Sequence, residues 1–311
     1  MLGTPLHVWV IFGAAIVTAI AVDLGIFHRN AGRVTLRQAL LETGAWIGLA
    51  LAFNVWVYLS RGHQAGVEFL TGYLVEKSLS VDNIFVFLLI FEVLRVPSRS
   101  QHKVLYFGVI GALVMRAGFI IAGVELLQGF HAILYVFGAI LLLTGLRMLL
   151  PGERVMRVEL SLPLRFARRV LPVTEKFHGE KFWVRSKRGW NATPLFVALV
   201  VVEAMDIVFA IDSVPAVLAI TRDSFIAYSS NVCAVLGLRA MYFALAMILP
   251  RFRFLHPGLA AILLFVGMKM LLEERMPIST GTSLAVIAGI IVATAGASLL
   301  WPRVEEVTGE D

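Results

Sequence analysis

The sequence predicts an all-α polytopic membrane protein with about nine transmembrane helices and an inverted three-helix repeat. Its composition is the first reason: of 311 residues, 59% are hydrophobic and 15% are charged, and the mean hydropathy is +0.85. A soluble domain is roughly half apolar and a quarter charged. Apolar runs of spanning length and an internal repeat are the other two reasons. Because the chain has one cysteine, a disulfide scaffold and a cysteine-ligated metal centre are excluded.

Nine apolar runs follow one another, each near the ~20 residues that a membrane span needs. They cover residues 6–27, 39–59, 66–94, 103–123, 130–150, 193–220, 224–249, 255–272 and 280–301. No basic region precedes the first run, which therefore resembles a span more than a cleaved signal peptide. We divide the chain into helices 1 and 2 (1–65), a first three-helix unit (66–150), a basic loop (151–192), a second, inverted unit (193–272), and a last helix with an acidic tail (273–311).

The basic residues predict the orientation in the membrane. Of the 27 lysines and arginines, 20 lie in connections on one side, three lie in connections on the other, and four fall within spans. Because cytoplasmic connections carry the excess of lysine and arginine, the N-terminus is expected outside and the C-terminus in the cytoplasm. The net charge of +6 is then a topology signal, and no nucleic-acid partner is expected.

The basic loop at 151–192 leaves alternatives open. Residues Leu164–Val170 could form a short amphipathic helix, and residues 181–190 have a turn-like centre that could form a hairpin. We favour a solvated basic loop that lies on anionic lipid.

Segments of the two units match one another in the same order. Such a three-helix unit, repeated once, must run in opposite directions in its two copies, as in many secondary transporters. The matches pair EKSLSVDN from Glu76 with DIVFAIDS from Asp206, LVMRAGF from Leu113 with LGLRAMY from Leu236, and AILLLTGLRMLL from Ala139 with AILLFVGMKMLL from Ala261.

Five carboxylates fall near the middle of spans 3 and 6, at Glu76, Asp82, Glu203, Asp206 and Asp212. An ionised group at the centre of a membrane helix costs about 3 kcal/mol, so these side chains must face one another, buried bases or a cation. If spans 3 and 6 are antiparallel, Glu76 is level with Asp212 and Asp82 is level with Asp206, which predicts two stacked carboxylate pairs.

One helical property opposes these pairs. Six residues separate the two acids of each span, and six residues rotate a regular helix by about 240°. A proline removes one backbone hydrogen bond and crowds the carbonyl four residues before it. We therefore predict a break or kink in span 6 near Pro215, which would turn the acids toward one another.

Carboxylate, amide and hydroxyl oxygens suit Mn²⁺, Mg²⁺ or Ca²⁺, whereas zinc and copper prefer histidine or cysteine. The seven histidines all fall in connections or near helix ends. Four bases inside the spans could instead neutralise the acids without any transported ion; we favour a cation site, with these bases as charge-balancing groups. They are Lys77, Arg116, Arg239 and Lys269.

The acidic motifs carry a family resemblance. The run EKSLSVDN at Glu76, the pattern E-x-x-D-x-x-F-A-x-D-S-x-P from Glu203, VDLGIFHR around Asp23, and LPVTEKFHGEKF with NATPLF at 171–196 resemble the TerC family of integral membrane proteins. That family belongs with LysE-like transporters and is associated with manganese efflux. The resemblance implies eight metal-path residues: Asp23, Glu76, Asp82, Asn83, Glu203, Asp206, Asp212 and Ser213.

We therefore expect a bacterial inner-membrane exporter of Mn²⁺, and of other hard divalent cations where selectivity allows, coupled to protons. Mn²⁺ is its substrate, and no resident cofactor is expected. Two alternatives stay open: an exporter of a small basic metabolite, and a non-transporting scaffold in the response to metal or tellurite stress. An intramembrane enzyme is disfavoured because neither an HExxH nor a G-x-G-D motif occurs.

Overall fold

The computed structural model describes residues 4–27, 35–129, 132–149, 169, 172–186, 189–248, 254–272, 275 and 278–300. These residues form ten helices and one small hairpin, which confirms the all-α fold class. The elements are α1 (Leu6–Phe27), α2 (Leu36–Arg61), α3 (His63–Val93), α4 (Ser98–Gly129), α5 (Ala132–Met148), β1 (Trp183–Ser186), β2 (Gly189–Ala192), α6 (Pro194–Leu218), α7 (Ser224–Val235), α8 (Leu238–Ile248), α9 (Leu255–Leu272) and α10 (Thr280–Leu300).

The helices have the length and surface of a polytopic membrane protein. Within the described residues, α2, α4, α6 and α10 are each long and apolar enough to cross a membrane, and α7 with α8 form a fifth span if the bent pair is counted as one. Shorter apolar helices occur in α1, α5 and α9. Large apolar side chains such as Leu6, Leu59 and Val292 are exposed, as expected where lipid is the solvent.

Helix α3 has the length of a span but carries five charged residues. It is 31 residues long, which corresponds to about 46 Å at 1.5 Å per residue. Its central carboxylate, Glu76, is fully buried. Helix α3 contacts α2, α6, α7, α8, α9 and α10, so it lies inside the bundle, where these neighbours screen its polar residues from lipid.

Of the predicted break or kink at Pro215, the break is wrong, because α6 continues as a helix through this residue to Leu218. Pro215 is buried. Proline is tolerated in membrane helices where neighbouring helices surround the backbone groups that it frees. The acids of α6 therefore lie on one continuous helix.

The seventh predicted span is broken instead, between α7 and α8, which are bent by 44°. At this break Gly237 has a φ of +81°, which favours glycine. A Cβ atom there would lie 2.6 Å from Cγ of Trp46. The last turn of α7 also accepts a hydrogen bond, from Lys77 Nζ to the Ala234 carbonyl oxygen at 3.1 Å. A cation at a helix C-terminus is stabilised by the helix dipole.

Helix packing is mirrored between the two predicted units, α3–α5 and α6–α9. The repeat makes α3 equivalent to α6, α4 equivalent to α7 with α8, and α5 equivalent to α9. Helix α3 packs against α7, and in the equivalent contact α6 packs against α4. Helix α3 also contacts α9, and in the equivalent contact α6 contacts α5. Equivalent helices also pair with one another: α3 with α6, α5 with α9, and α4 with α7 and α8. This is the pattern expected of two inverted units related by a two-fold pseudo-symmetry axis.

The α5–α9 seam shows the mirrored contacts at the level of single residues. A Cβ atom at Gly145 would lie 3.0 Å from the Ala260 carbonyl oxygen, and one at Gly267 would lie 2.9 Å from the Gly138 carbonyl oxygen. The sequence repeat aligns Gly145 with Gly267 and Gly138 with Ala260. The two contacts are therefore equivalent, and small residues let the two backbones approach closely.

The favoured loop interpretation is wrong for residues 183–192, where β1 and β2 form an antiparallel hairpin that pairs Trp183 with Ala192 and Ser186 with Gly189. The segment before it is held on α4, because Lys103 Nζ donates to the Glu180 carbonyl oxygen at 2.7 Å. The candidate amphipathic helix at 164–170 lies outside the described residues except for position 169, and the acidic tail lies outside them entirely.

Candidate ion-binding site

A buried arginine joins carboxylates from both units. Arg116 of α4 is 1% exposed. Its Nη1 donates to Glu76 Oε1 of α3 and to Ser213 Oγ of α6, the latter at 3.3 Å. Its Nη2 and Nε donate to Asp206 Oδ1 and Oδ2 of α6 at 3.3 and 3.4 Å. Both carboxylates are buried, so three helices meet at one guanidinium.

Two contacts fix the register of α3 against α6. A Cβ atom at Gly72 would lie 3.8 Å from Cγ1 of Val217, and Glu76 and Ser213 share one nitrogen of Arg116. A step of four residues forward along α3 thus corresponds to four residues backward along α6. The two helices are antiparallel, with Glu76 level with Ser213.

The same register places Asn83 of α3 level with Asp206 of α6. Seven residues separate Glu76 from Asn83, and seven separate Asp206 from Ser213, so each pair lies on one helical face about 10 Å apart along the axis. All four side chains are buried. Each of the two levels therefore combines a carboxylate from one unit with a neutral oxygen donor from the other.

This arrangement differs from the predicted stack of carboxylate pairs, because Ser213 rather than Asp212 lies across Arg116 from Glu76. The half-buried Asp212 accepts a hydrogen bond from Thr144 Oγ1 of α5 at 2.8 Å. Six residues along a regular helix change direction by about 240°, whereas seven return nearly to the starting face. Asp82 occupies the equivalent position on α3; its side chain lies outside the described residues.

Glu203 lies one turn before Asp206 on α6 and is half-buried. Its carboxylate occupies the space that a Cβ atom at Gly111 of α4 would need. A glycine at this position of α4 thus makes room for the Glu203 carboxylate, on the same helix that carries Arg116.

Four other predicted site residues lie on α1, α3, α8 and α9. Lys77 donates to a backbone carbonyl of α7. Arg239 and Lys269 are 8% and 7% exposed, and Arg239 lines a cavity together with Trp46 and Tyr106. Asp23 lies in α1; its side chain is outside the described residues.

Several buried polar atoms of α3 and α7 have no hydrogen-bond partner among the described residues. They are Tyr73 OH, Glu76 Oε2, Ser80 Oγ and both side-chain polar atoms of Asn231. Sequence reasoning missed Tyr73 and Asn231. For α3 the signal was available, because Tyr73, Glu76, Ser80 and Asn83 are spaced by three, four and three residues, which aligns them on one face.

Within the described residues, no group of three or more histidine, cysteine, aspartate or glutamate side chains could hold a metal ion. A cation at this site would need neutral oxygens as well as carboxylates. The donors around Glu76 and Asp206 include hydroxyl and amide groups, which together with carboxylate form the ligand set of a hard cation.

Comparison with known proteins agrees with this architecture. A family model described as the integral membrane protein TerC family matches residues 61–306. The chain belongs to the TerC family. It is 45% identical over 301 residues to the uncharacterized membrane protein STKORF319 of Myxococcus xanthus, with 97% of this chain and 94% of that protein covered. It is 43% identical over 301 residues to Alx of Escherichia coli strain K12, named as a candidate membrane-bound redox modulator, with 94% of both chains covered.

An uncharacterized membrane protein of Rickettsia bellii is 36% identical over 292 residues, covering 94% of this chain and 97% of that protein. No solved structure matches this chain significantly. Family and structure together identify an integral, multi-pass, transporter-like membrane protein of the TerC family.

Proposed function

We propose that this TerC-family protein exports Mn²⁺ from the cytoplasm across the bacterial inner membrane through the site around Arg116. The observation that supports this proposal is the meeting of Glu76 and Asp206, from the two inverted units, at one buried guanidinium. Secondary transporters with inverted repeats place their substrate site where the two units meet.

The charge of the site favours a cation as the substrate. Arg116 supplies one positive charge to two buried carboxylates, and an uncompensated buried charge is strongly unfavourable. A proton on one carboxylate supplies the one missing positive charge, whereas Mn²⁺ supplies two and can also offset a further acid such as Glu203 of α6. Exchange between these two is a direct physical basis for coupling Mn²⁺ export to proton entry.

The two levels define a direction for transport when they are combined with the orientation expected from the basic residues. Helix α6 then runs outward, which places the Asp206–Asn83 level toward the cytoplasm and the Glu76–Ser213 level toward the outside. Arg116 contacts residues of both levels, so it compensates the carboxylate of the level that the ion does not occupy. Rocking of one unit against the other would open the levels to opposite sides in turn.

The name of Alx suggests redox activity for that protein. This chain has one cysteine, Cys233, so a disulfide cannot form between two of its own residues. We favour cation transport over redox activity, because the site is built from buried carboxylates.

The test is flux of Mn²⁺ through purified protein in proteoliposomes, with a pH gradient imposed or collapsed. Glu76→Gln and Asp206→Asn are expected to lower the initial rate at least tenfold, because each removes a charge at the site. Glu92→Gln, an exposed carboxylate on α3, is the matched control and should transport at the wild-type rate.

The same vesicles distinguish the alternatives. Transport of lysine in metal-free medium, without Mn²⁺ flux, would support the metabolite exporter. Wild-type protein that moves neither solute would contradict the transport proposal and favour a scaffold. Normal Mn²⁺ flux in both site variants would show that the ion takes another path.

A further inference from the structure

The two oxygens of the Glu76 carboxylate have different surroundings. Oε1 accepts from Arg116 Nη1, whereas Oε2 has no partner among the described residues. Ser80 Oγ and the side-chain amide of Asn231 share this property. The three residues are 0%, 1% and 0% exposed. An unmet hydrogen-bonding group is unfavourable when buried, and more so when it is charged, so these three require an explanation.

Two contacts show that α7 lies alongside this part of α3. A Cβ atom at Gly72 would lie 2.9 Å from Ser230 Oγ, and Lys77 Nζ donates to the Ala234 carbonyl oxygen at 3.1 Å. From the first contact to the second, the chain advances five residues along α3 and four residues along α7. The two helices therefore run parallel through this stretch. Asn231 lies on α7 between the two contacts.

Glu76 lies on α3 between the same two contacts, so it and Asn231 occupy facing stretches of adjacent helices. Ser80 follows Glu76 by four residues, and residues at this spacing are neighbours on one helical face. The three groups are thus a carboxylate oxygen, a hydroxyl and an amide, all buried and each with unused hydrogen-bonding capacity.

We propose that Glu76 Oε2, Ser80 Oγ and Asn231 Oδ1 bind the transported divalent cation on the side of Glu76 that faces away from Arg116. This assignment rests on the proposed export function and adds α7 to the site. Carboxylate, hydroxyl and amide oxygens are ligands for hard cations such as Mn²⁺. Because Arg116 uses Oε1, Glu76 can contact the arginine and the ion together. One negative charge among three donors gives weak binding, which suits rapid release.

The test measures Mn²⁺ binding by titration calorimetry of the full-length detergent-purified protein, alongside its melting temperature. Ser80→Ala and Asn231→Leu should each weaken Mn²⁺ binding about tenfold. Neither change should lower the melting temperature, because each removes a buried polar group that has no protein partner among the described residues. Ser78→Ala is the matched control on α3, since Ser78 Oγ donates to the Leu74 carbonyl oxygen of its own helix at 2.8 Å. Ser230→Ala serves for α7, since that hydroxyl donates to Ala227.

The outcomes separate this inference from the proposed function. Wild-type affinity in both Ser80→Ala and Asn231→Leu would overturn the inference and leave export through Glu76 and Asp206 standing. Weaker binding accompanied by a lower melting temperature would assign the two residues a structural role and also overturn it. Wild-type protein that binds no Mn²⁺ would contradict both proposals.

Discussion

Replacement of Arg116 by methionine tests whether this arginine compensates the buried acids. The change removes the donors to Glu76 and Asp206 and to Ser213 Oγ while keeping an apolar stem of similar shape. Breaking a buried ion pair by removing one partner costs about 3–5 kcal/mol, because a buried charge is left without compensation. Folded proteins have only about 5–15 kcal/mol of stability in total. Arg116→Met should therefore lose a large part of the free energy of unfolding.

The assay is equilibrium unfolding in mixed detergent micelles, followed by circular dichroism. Arg61→Met is the matched control, because Arg61 pairs with Asp223 at 3.3 Å with side chains 19% and 40% exposed. Exposed pairs contribute about 0–1 kcal/mol; Arg61 also donates to Thr4 Oγ1 and lies over the Phe225 ring, so this variant should lose much less stability than Arg116→Met.

A rescue variant checks the cause of the loss. Combining Arg116→Met with Glu76→Gln and Asp206→Asn removes all three charges, and neutral replacement of a buried charge cluster is often tolerated. The triple variant should recover most of the lost stability. The reasoning is refuted if Arg116→Met unfolds within about 1 kcal/mol of wild type, or if the triple variant is as unstable as the single one.

Two further predictions concern the contacts that α5 makes with α9 and with α6. Gly145→Ala and Gly267→Ala should each destabilise the protein by about 1–3 kcal/mol through overpacking, and by similar amounts because their contacts are equivalent. Gly289→Ala is the control, because a Cβ atom there would have nothing within 4 Å. A marked difference between the first two variants would contradict the mirrored seam. Thr144→Val should lower Mn²⁺ flux about tenfold by removing the donor to Asp212, since a hydrogen bond to a charged group contributes roughly 1.5–3 kcal/mol. Thr144→Ser should keep the wild-type rate, and equal rates in both Thr144 variants would show that this hydrogen bond has no part in transport.

The fold could be predicted from the sequence because the bilayer imposes simple physical requirements. A helix that crosses lipid must satisfy its backbone hydrogen bonds internally and stay apolar over a fixed length, so the apolar runs predict the helices within several residues. The break at Gly237 was missed because it interrupts no apolar run. The pairing at 183–192 was underestimated because the segment is short and basic, and such composition is also typical of a loop on lipid.

The site was harder to predict because the direction of a side chain depends on packing as well as on composition. Sequence reasoning grouped residues by chemical type and therefore paired the acids of α3 with the acids of α6. Because the two acids within each helix are six residues apart, this pairing required a break or kink at Pro215. On a regular helix the partner of Glu76 on its own face is Asn83, and the partner of Asp206 is Ser213, each seven residues away. The repeat carries this spacing in both units, and a neutral oxygen follows the acid in each. Both acids contact the guanidinium of Arg116, while each acid lies level with a neutral oxygen donor of the other unit. A continuous α6 therefore accounts for this arrangement, and no break at Pro215 is needed to obtain it.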